Sequence, residues 1–505
     1  MPVIPSLLTA CTSRSGGVDS SAFPSSKDEL ILSDGLSYKV LIQEGDMLND
    51  KMVFGTENDY LAFIPTGSDE GILWVNHEFV NPMFASGWEP DKARHRDMIT
   101  TEMHMVGGSI VKIKKEWGGD WKFVKNDPIN NRLTAASMIP FEWPELVAGN
   151  RSVRGTLANC SGGVTPWGTI LTCEENYDNF YGEYDYVTDS RTRSKLGWER
   201  FFPDHLPQHY GWVVEVDIRT GSAKKHPGLG RMAHECATVK ALADGRVVIY
   251  TGDDQDNGCV FKYVSLEAGK IYPGNLYVAN MDAGKWELLD IARPELAGKF
   301  ADQTELLIRT REAALLVGGT QLDRPEDIEI DPLTGDVLVS LTNNKPKGVY
   351  HGSILKIREE GDYDAMTFVH DTFLTGGEES GFSCPDNMAF DAAGNLWFCS
   401  DISDDALNKP PYDKFGNNGL FVLIRNGVDA GKIFQVASAP NDAEFTGPCF
   451  APDGETLFLC VQHPGEGSKN LSDLTSNWPG GGTTIPRSAV VAIQGDLLRT
   501  LQQVV

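Results

Sequence analysis

The sequence predicts an all-β fold, a six-bladed β-propeller with inserted loops and short helices. Three observations carry this prediction. Strand patterns dominate the 505 residues, while long amphipathic helical periods are scarce. An apolar strand recurs six times within a few residues of a glycine, at intervals of about 60 to 95 residues, the spacing of propeller blades carrying insertions. Polar clusters recur at corresponding ends of these strands. A large β-sandwich would give similar hairpins but not that recurrence.

The first copy, Gly71-Ile72-Leu73-Trp74-Val75, runs into Asn76-His77-Glu78. The second, Gly168-Thr169-Ile170-Leu171, follows Asn159-Cys160-Ser161-Gly162-Gly163 and runs into Thr172-Cys173-Glu174-Glu175-Asn176. The third, Gly245 to Tyr250, follows His234-Glu235-Cys236 and runs into Thr251-Gly252-Asp253-Asp254. The fourth, Gly335 to Val339, follows Arg324-Pro325-Glu326-Asp327 and the strand Ile328-Glu329-Ile330. The fifth, Gly394 to Phe398, follows Cys384-Pro385-Asp386-Asn387 and ends at Ser400-Asp401. The sixth, Gly454 to Leu459, ends in Gln462-His463-Pro464-Gly465-Glu466. In four copies a preceding strand and a short glycine turn mark a hairpin. Trp143–Arg154 and Tyr184–His209 lack a two-residue period and read as insertions. Pro294–Glu312 has helical spacing.

Composition narrows the function. At 41% hydrophobic residues the chain can bury a large core, and its net charge of −27 excludes a nucleic-acid-binding surface and disfavours an anionic membrane. Surplus carboxylates suit Ca²⁺. Nine cysteines without a CxxC pair do not make a disulfide framework. No segment reaches the ~20 apolar residues of a membrane-spanning helix. Pro5-Ser6-Leu7-Leu8-Thr9-Ala10-Cys11 resembles the end of a bacterial lipoprotein signal without the positive n-region before it, so it reads either as a lipid-anchor site at Cys11 or as a chance match. Residues 1–27 then form a signal-like segment and tether, and 28–505 a single propeller domain. Nothing demands assembly, so a monomer is expected.

In a propeller the innermost strand of each blade lines the channel. Cys160, Glu235, Glu326 and Asp386 fall where such strands open. Glu174-Glu175 and Asp253-Asp254 end the antiparallel neighbouring strand and return to the same mouth. Carboxylates gathered there repel unless cations intervene, and an added thiolate brings in a softer metal such as iron or zinc. Each acidic pair alone reads equally as a solvated turn, Cys160 alone as a buried small residue, and Arg324 as a blade-to-blade salt bridge. Their convergence favours a metal site. No GxSxG elbow, P-loop or HExxH motif offers a rival chemistry.

Thr165-Pro166-Trp167-Gly168-Thr169 with Leu171 to Asn176, His234-Glu235, Tyr250 to Asp254, Arg324-Pro325-Glu326, and Gln462 to Glu466 together resemble the PhoX family of bacterial alkaline phosphatases. The resemblance implies a six-bladed propeller with an iron (Fe³⁺)–calcium cofactor at one channel mouth. It implies hydrolysis of small-molecule phosphate monoesters in the periplasm or outside the cell. By motif position, Cys160 resembles the thiolate iron ligand. Glu174 or Glu175, Glu235, Asp254, Glu326 and Asp386 resemble carboxylate ligands, and Arg324 the phosphate clamp. Which member of each acidic pair faces the metals stays open. Two other readings fit the residues: a Ca²⁺-dependent propeller acting on phosphotriesters or lactones without iron, and a non-catalytic binding propeller stabilised by Ca²⁺.

Overall fold

The computed structural model describes residues 18, 20–89 and 91–502; Cys11 and its lipoprotein-like pattern lie outside them. Six antiparallel sheets of four or five strands each form one blade. Blade 1 runs Asn58–Pro65, Glu70–His77, Gly107–Lys115 and Trp121–Phe123. Blades 2 to 5 open with inner strands Asn159–Val164, Thr238–Ala241, Pro325–Ile330 and Pro385–Phe390. Blade 6 opens with Glu444–Phe450, and its outer strand comes from the other end of the chain: Leu36–Gln43 pairs with Ala489–Gly495. Ile31–Leu32 adds to the outside of blade 5. The N-terminal segment thus stitches onto the outsides of blades 5 and 6 and ties the start of the chain to its end.

Burial grades outward through each blade for a physical reason. The second strand is covered by neighbouring blades on both faces, so Val337–Leu341 is fully buried and, apart from Ser340, apolar rather than alternating. The outermost strand of the same blade, Phe368–Thr375, is largely exposed. The tight hairpins between inner and second strands turn on glycines such as Gly335 and Gly394, at φ 78° and 79°, where other residues are strained.

The insertions sit outside this frame. Met138–Pro140 pairs with Ser152–Arg154, and Tyr184–Asp185 with Ser190–Arg191, as two small separate sheets. The helix expected over Pro294–Glu312 is instead two short helices displaced towards the C-terminus, Gln303–Ile308 and Thr310–Leu316. Asp302 caps the first by accepting a hydrogen bond from Glu305 N at 2.8 Å, which fixes its start, and Arg309 leaves helical geometry between the two.

One irregularity repeats around the channel. The inner strands of blades 1, 2, 4, 5 and 6 slip register by one residue at the same place, between Asn58 and Leu61, Asn159 and Gly162, Pro325 and Ile328, Pro385 and Met388, and Thr446 and Cys449. In blade 3 the slip falls between the His234–Asp253 bridge and Thr238–Tyr250. Each is a β-bulge, which re-aims a side chain at the cost of local pairing. The bulged residues include Asp59, Cys160, Glu235, Glu326, Asp386 and Gly447, one from each blade.

A candidate metal centre at the channel mouth

Two rings of side chains meet at this mouth. The bulges supply the first. The second comes from residues just past the second strands, pinned to the carbonyl that precedes the inner strand of the same blade. Glu78 N donates to Glu57 O at 3.0 Å, Glu175 N to Ala158 O at 2.8 Å, Asp254 N to Ala233 O at 3.0 Å, and Asp401 N to Cys384 O at 2.9 Å. In blade 4 that place is held by Thr342, whose N–H donates to Arg324 O. At the pinned carbonyls the chain turns sharply. Glu57, Ala158, Arg324 and Cys384 adopt φ of 44° to 53°, a region costing non-glycine residues about 1–3 kcal/mol each, which persists only where surrounding structure enforces it.

Three overlapping groups could each hold a cation: Asp59, Glu78 and Cys160; Cys160, Glu175 and Glu235; and Glu235, Glu326 and Asp386, with candidate ligand atoms within 4.8 Å of one another in each. Cys160 links the first two and Glu235 the last two. Cys160 Sγ lies 3.2 Å from Asp59 Oδ2 and 3.0 Å from Glu235 Oε2. The surroundings hold these groups in place. Asn176 and Gln462 donate to Glu78 at 3.2 and 2.6 Å, and Asn387 donates to Asp386 at 3.1 Å while accepting from Gly447 N at 2.6 Å.

The structure brings Cys160, Glu175, Glu235, Glu326 and Asp386 together. Asp254 borders the cluster as the partner of Arg324, taking Nε at 2.9 Å and Nη2 at 2.7 Å. Glu326 lies 2.7 Å from the same guanidinium and Asp401 3.5 Å from its Nη1. Arg324 therefore bridges blades 3 and 4, with Nη2 shared by Asp254 and Glu326 and Nη1 nearest Asp401. Glu174 does not join the cluster. Its carboxylate faces the other way, onto Lys225 Nζ at 2.7 and 2.9 Å and Trp212 N at 3.1 Å. Asp253 likewise turns onto Arg311, with contacts of 2.6 to 3.0 Å. In each acidic pair the first residue is an anchor locked by a cation, the fully buried Lys225 or the half-buried Arg311, and the second is thereby aimed at the mouth. His234 is a support too: its ring meets Thr251 Oγ1 and Gly230 O at 2.9 and 2.8 Å.

Lys225 and Glu174 are both fully buried. Lys225→Met strands the carboxylate and costs about 3–5 kcal/mol. Denaturant unfolding of the metal-loaded protein measures it, and an unchanged midpoint contradicts the anchoring role.

Asp59 and Glu78 were not among the residues the sequence singled out as ligands. Glu78 stands at the end of the first recurring strand, where Glu175 and Asp254 stand in theirs, and that correspondence was the available signal. Asp59 follows Asn58 as Cys160 follows Asn159.

Electrostatics shows what the cluster requires. Burial, reinforced by neighbouring carboxylates, pushes Asp59, Glu175, Glu235 and Asp386 well above the usual carboxyl range. Glu326 moves the same way against the pull of Arg324. Burial also drives Glu57, beside Glu78, up to about 8. Asp254 alone moves down, because Arg324 outweighs its burial. Two like charges 4 Å apart cost about 4 kcal/mol at an effective dielectric of 20, so these groups share a mouth only with protons or cations between them. Asp59 Oδ1, Glu57 Oε2 and Glu444 Oε2 are buried without a hydrogen-bond partner, which leaves oxygens free for coordination. Hard oxygens throughout with a single thiol fit calcium and a softer ion side by side.

Fold and cluster together define a six-bladed propeller with a cation-collecting centre at one channel mouth. The family described as alkaline phosphatase PhoX matches residues 19–465. Pseudomonas fluorescens PhoX, solved in complex with vanadate, a transition-state analogue, superposes with a TM-score of 0.82 at 28% identity, covering 94% of this chain and 97% of that one. The chain belongs to the PhoX family of alkaline phosphatases, and it is a phosphatase on that footing. A gluconolactonase from Xanthomonas campestris covers 94% of this chain and 99% of its own at 11% identity, with a TM-score of 0.37. A pyranose dehydrogenase PQQ domain from Coprinopsis cinerea covers 93% and 98% at 10% identity, with a TM-score of 0.38. Neither likeness carries functional weight. No curated protein matched the chain.

Proposed function

We propose that this chain hydrolyses phosphate monoesters at the channel mouth, using iron and calcium held by the two rings. The observation that carries the reading is the buried Cys160–carboxylate cluster lying against the guanidinium of Arg324, whose Nη1 has, among the described residues, only the long 3.5 Å contact with Asp401. Asp59, Glu78, Cys160, Glu175, Glu235, Glu326 and Asp386 would hold the metals, with Cys160 as the thiolate for iron. When bound, such ions neutralise phosphoryl oxygens and activate an oxygen nucleophile.

The chain's own residues do the rest. Asp254 takes Nε and Nη2 of Arg324 in a two-pronged contact and so fixes the plane of the guanidinium. Nη1, whose nearest acceptor is Asp401 Oδ2 at 3.5 Å, is the donor that would turn onto a phosphoryl oxygen in a charge-assisted bond. Charge on those oxygens grows as the leaving group departs, so a preset donor contributes more in the transition state than in the ground state. Bulge and left-handed turn set these positions before substrate arrives. Export to the periplasm or beyond, with a lipid anchor at Cys11, completes the proposal.

The test is hydrolysis of p-nitrophenyl phosphate at alkaline pH by protein purified with its metals. Turnover that disappears on chelation and returns with iron and Ca²⁺ supports the reading. No turnover with metals loaded overturns it. Turnover restored by Ca²⁺ alone removes iron from the account.

A further inference from the structure

Beside the metal centre lies a cleft of about 550 Å³ that the phosphoryl chemistry does not use. Glu78 belongs to both, so the cleft opens directly onto the cluster. Insertions from several blades build it: the segment after blade 1's second strand brings Phe79, Pro82 and Trp88, the blade 2 insertion brings Leu196, and the loops of blades 5 and 6 bring Asp404 and Glu466.

One property of the walls selects a ligand. Phe79, Pro82, Trp88 and Leu196 give an apolar side whose rings are held in place. Phe79 packs edge-on to Phe180 at 5.4 Å between centroids, and Trp88 Nε1 donates to Lys92 O at 2.8 Å. The other side carries both signs, Asp404 and Glu466 together with Lys195 and His463, and so does not select for the charge of the ligand.

We infer that this cleft receives the alcohol portion of the ester, and that it favours flat, apolar alcohols over small alkyl ones. The inference rests on the phosphatase reading above and names its substrate class. Trp88 supplies contact area that a small alkyl group cannot use, worth about 2- to 10-fold for one aromatic contact.

The test uses two esters of similar leaving-group basicity, ethyl and benzyl phosphate. The wild-type, metal-loaded protein should show the higher kcat/KM for benzyl phosphate. Trp88→Ala should lower kcat/KM for benzyl phosphate at least ~3-fold and leave ethyl phosphate and inhibition by inorganic phosphate unchanged. Equal turnover of the two esters by the wild type, or a Trp88→Ala variant that moves both in parallel, overturns the subsite. Failure of the wild type to hydrolyse either of them overturns the phosphatase reading instead, so the two failures are distinguishable.

Discussion

Arg324→Ala lowers kcat/KM for p-nitrophenyl phosphate by at least ~10²-fold, the loss expected when one preset donor to a developing anion is removed. The effect has a specific origin. Asp254 grips two nitrogens of the guanidinium, so Nη1 has a fixed direction, and truncation removes that aimed donor as well as the charge. Arg324→Lys should therefore recover only part of the rate, because a point-donor ammonium cannot keep the two-pronged grip of Asp254 and donate to phosphate in the same geometry. Metal content separates this from damage to the centre. The variant should keep its iron and calcium, since Arg324 lies beside the ligand groups and donates nothing to a cation. Full activity in Arg324→Ala removes it from the phosphate site and leaves it as a bridge between blades 3 and 4.

Chelation should lower the melting temperature by on the order of 4 °C at neutral pH, the loss expected when ligands bound at about a thousandfold over their Kd are withdrawn from a chain this size. The loss should grow with pH, and the sign follows from the carboxyls. Those with raised folded-state pKa contribute stability that is fully present below their ordinary value and is lost as pH rises through the folded value. Glu57 is lifted by burial to about 8 from 4.5, and Asp327, next to Glu326, to about 7 from 3.8. Asp59, Glu235 and Asp386 move in the same direction. Metal-free protein thus carries tolerated protons near pH 4.5 and unrelieved like charge by pH 8. Thermal unfolding with and without chelator across that window measures the difference. A chelator penalty that is constant, or larger on the acid side, contradicts a cation-filled centre.

Much of this was readable in the chain because propeller blades repeat. The six glycine-marked strands are the second strands of the six blades, and the motifs before them are the bulged openings of the inner strands. Arg324-Pro325-Glu326 shows how far that goes: Glu326 occupies the bulge position shared with Cys160 and Asp386, and Arg324 the turn position shared with Ala158 and Cys384. Three things were not readable. Which member of Glu174-Glu175 or Asp253-Asp254 faces the mouth depends on Lys225 and Arg311, cations 51 and 58 residues away that no local pattern pairs with them. Asp59 was not readable because the recurrence is keyed to the second strands, and the Glu57-Asn58-Asp59 opening of the first blade stands before the first of them. Closure of blade 6 by Leu36–Gln43 is a contact between chain ends, set by the geometry of the whole ring.

Elemental analysis of protein purified without a metal-chelating resin tests the central claim most directly, because both rings owe their composition to cations. Iron and calcium, each at one or more per chain, is the predicted result, with Cys160→Ser losing iron ahead of calcium. Folded protein carrying neither metal would contradict the account.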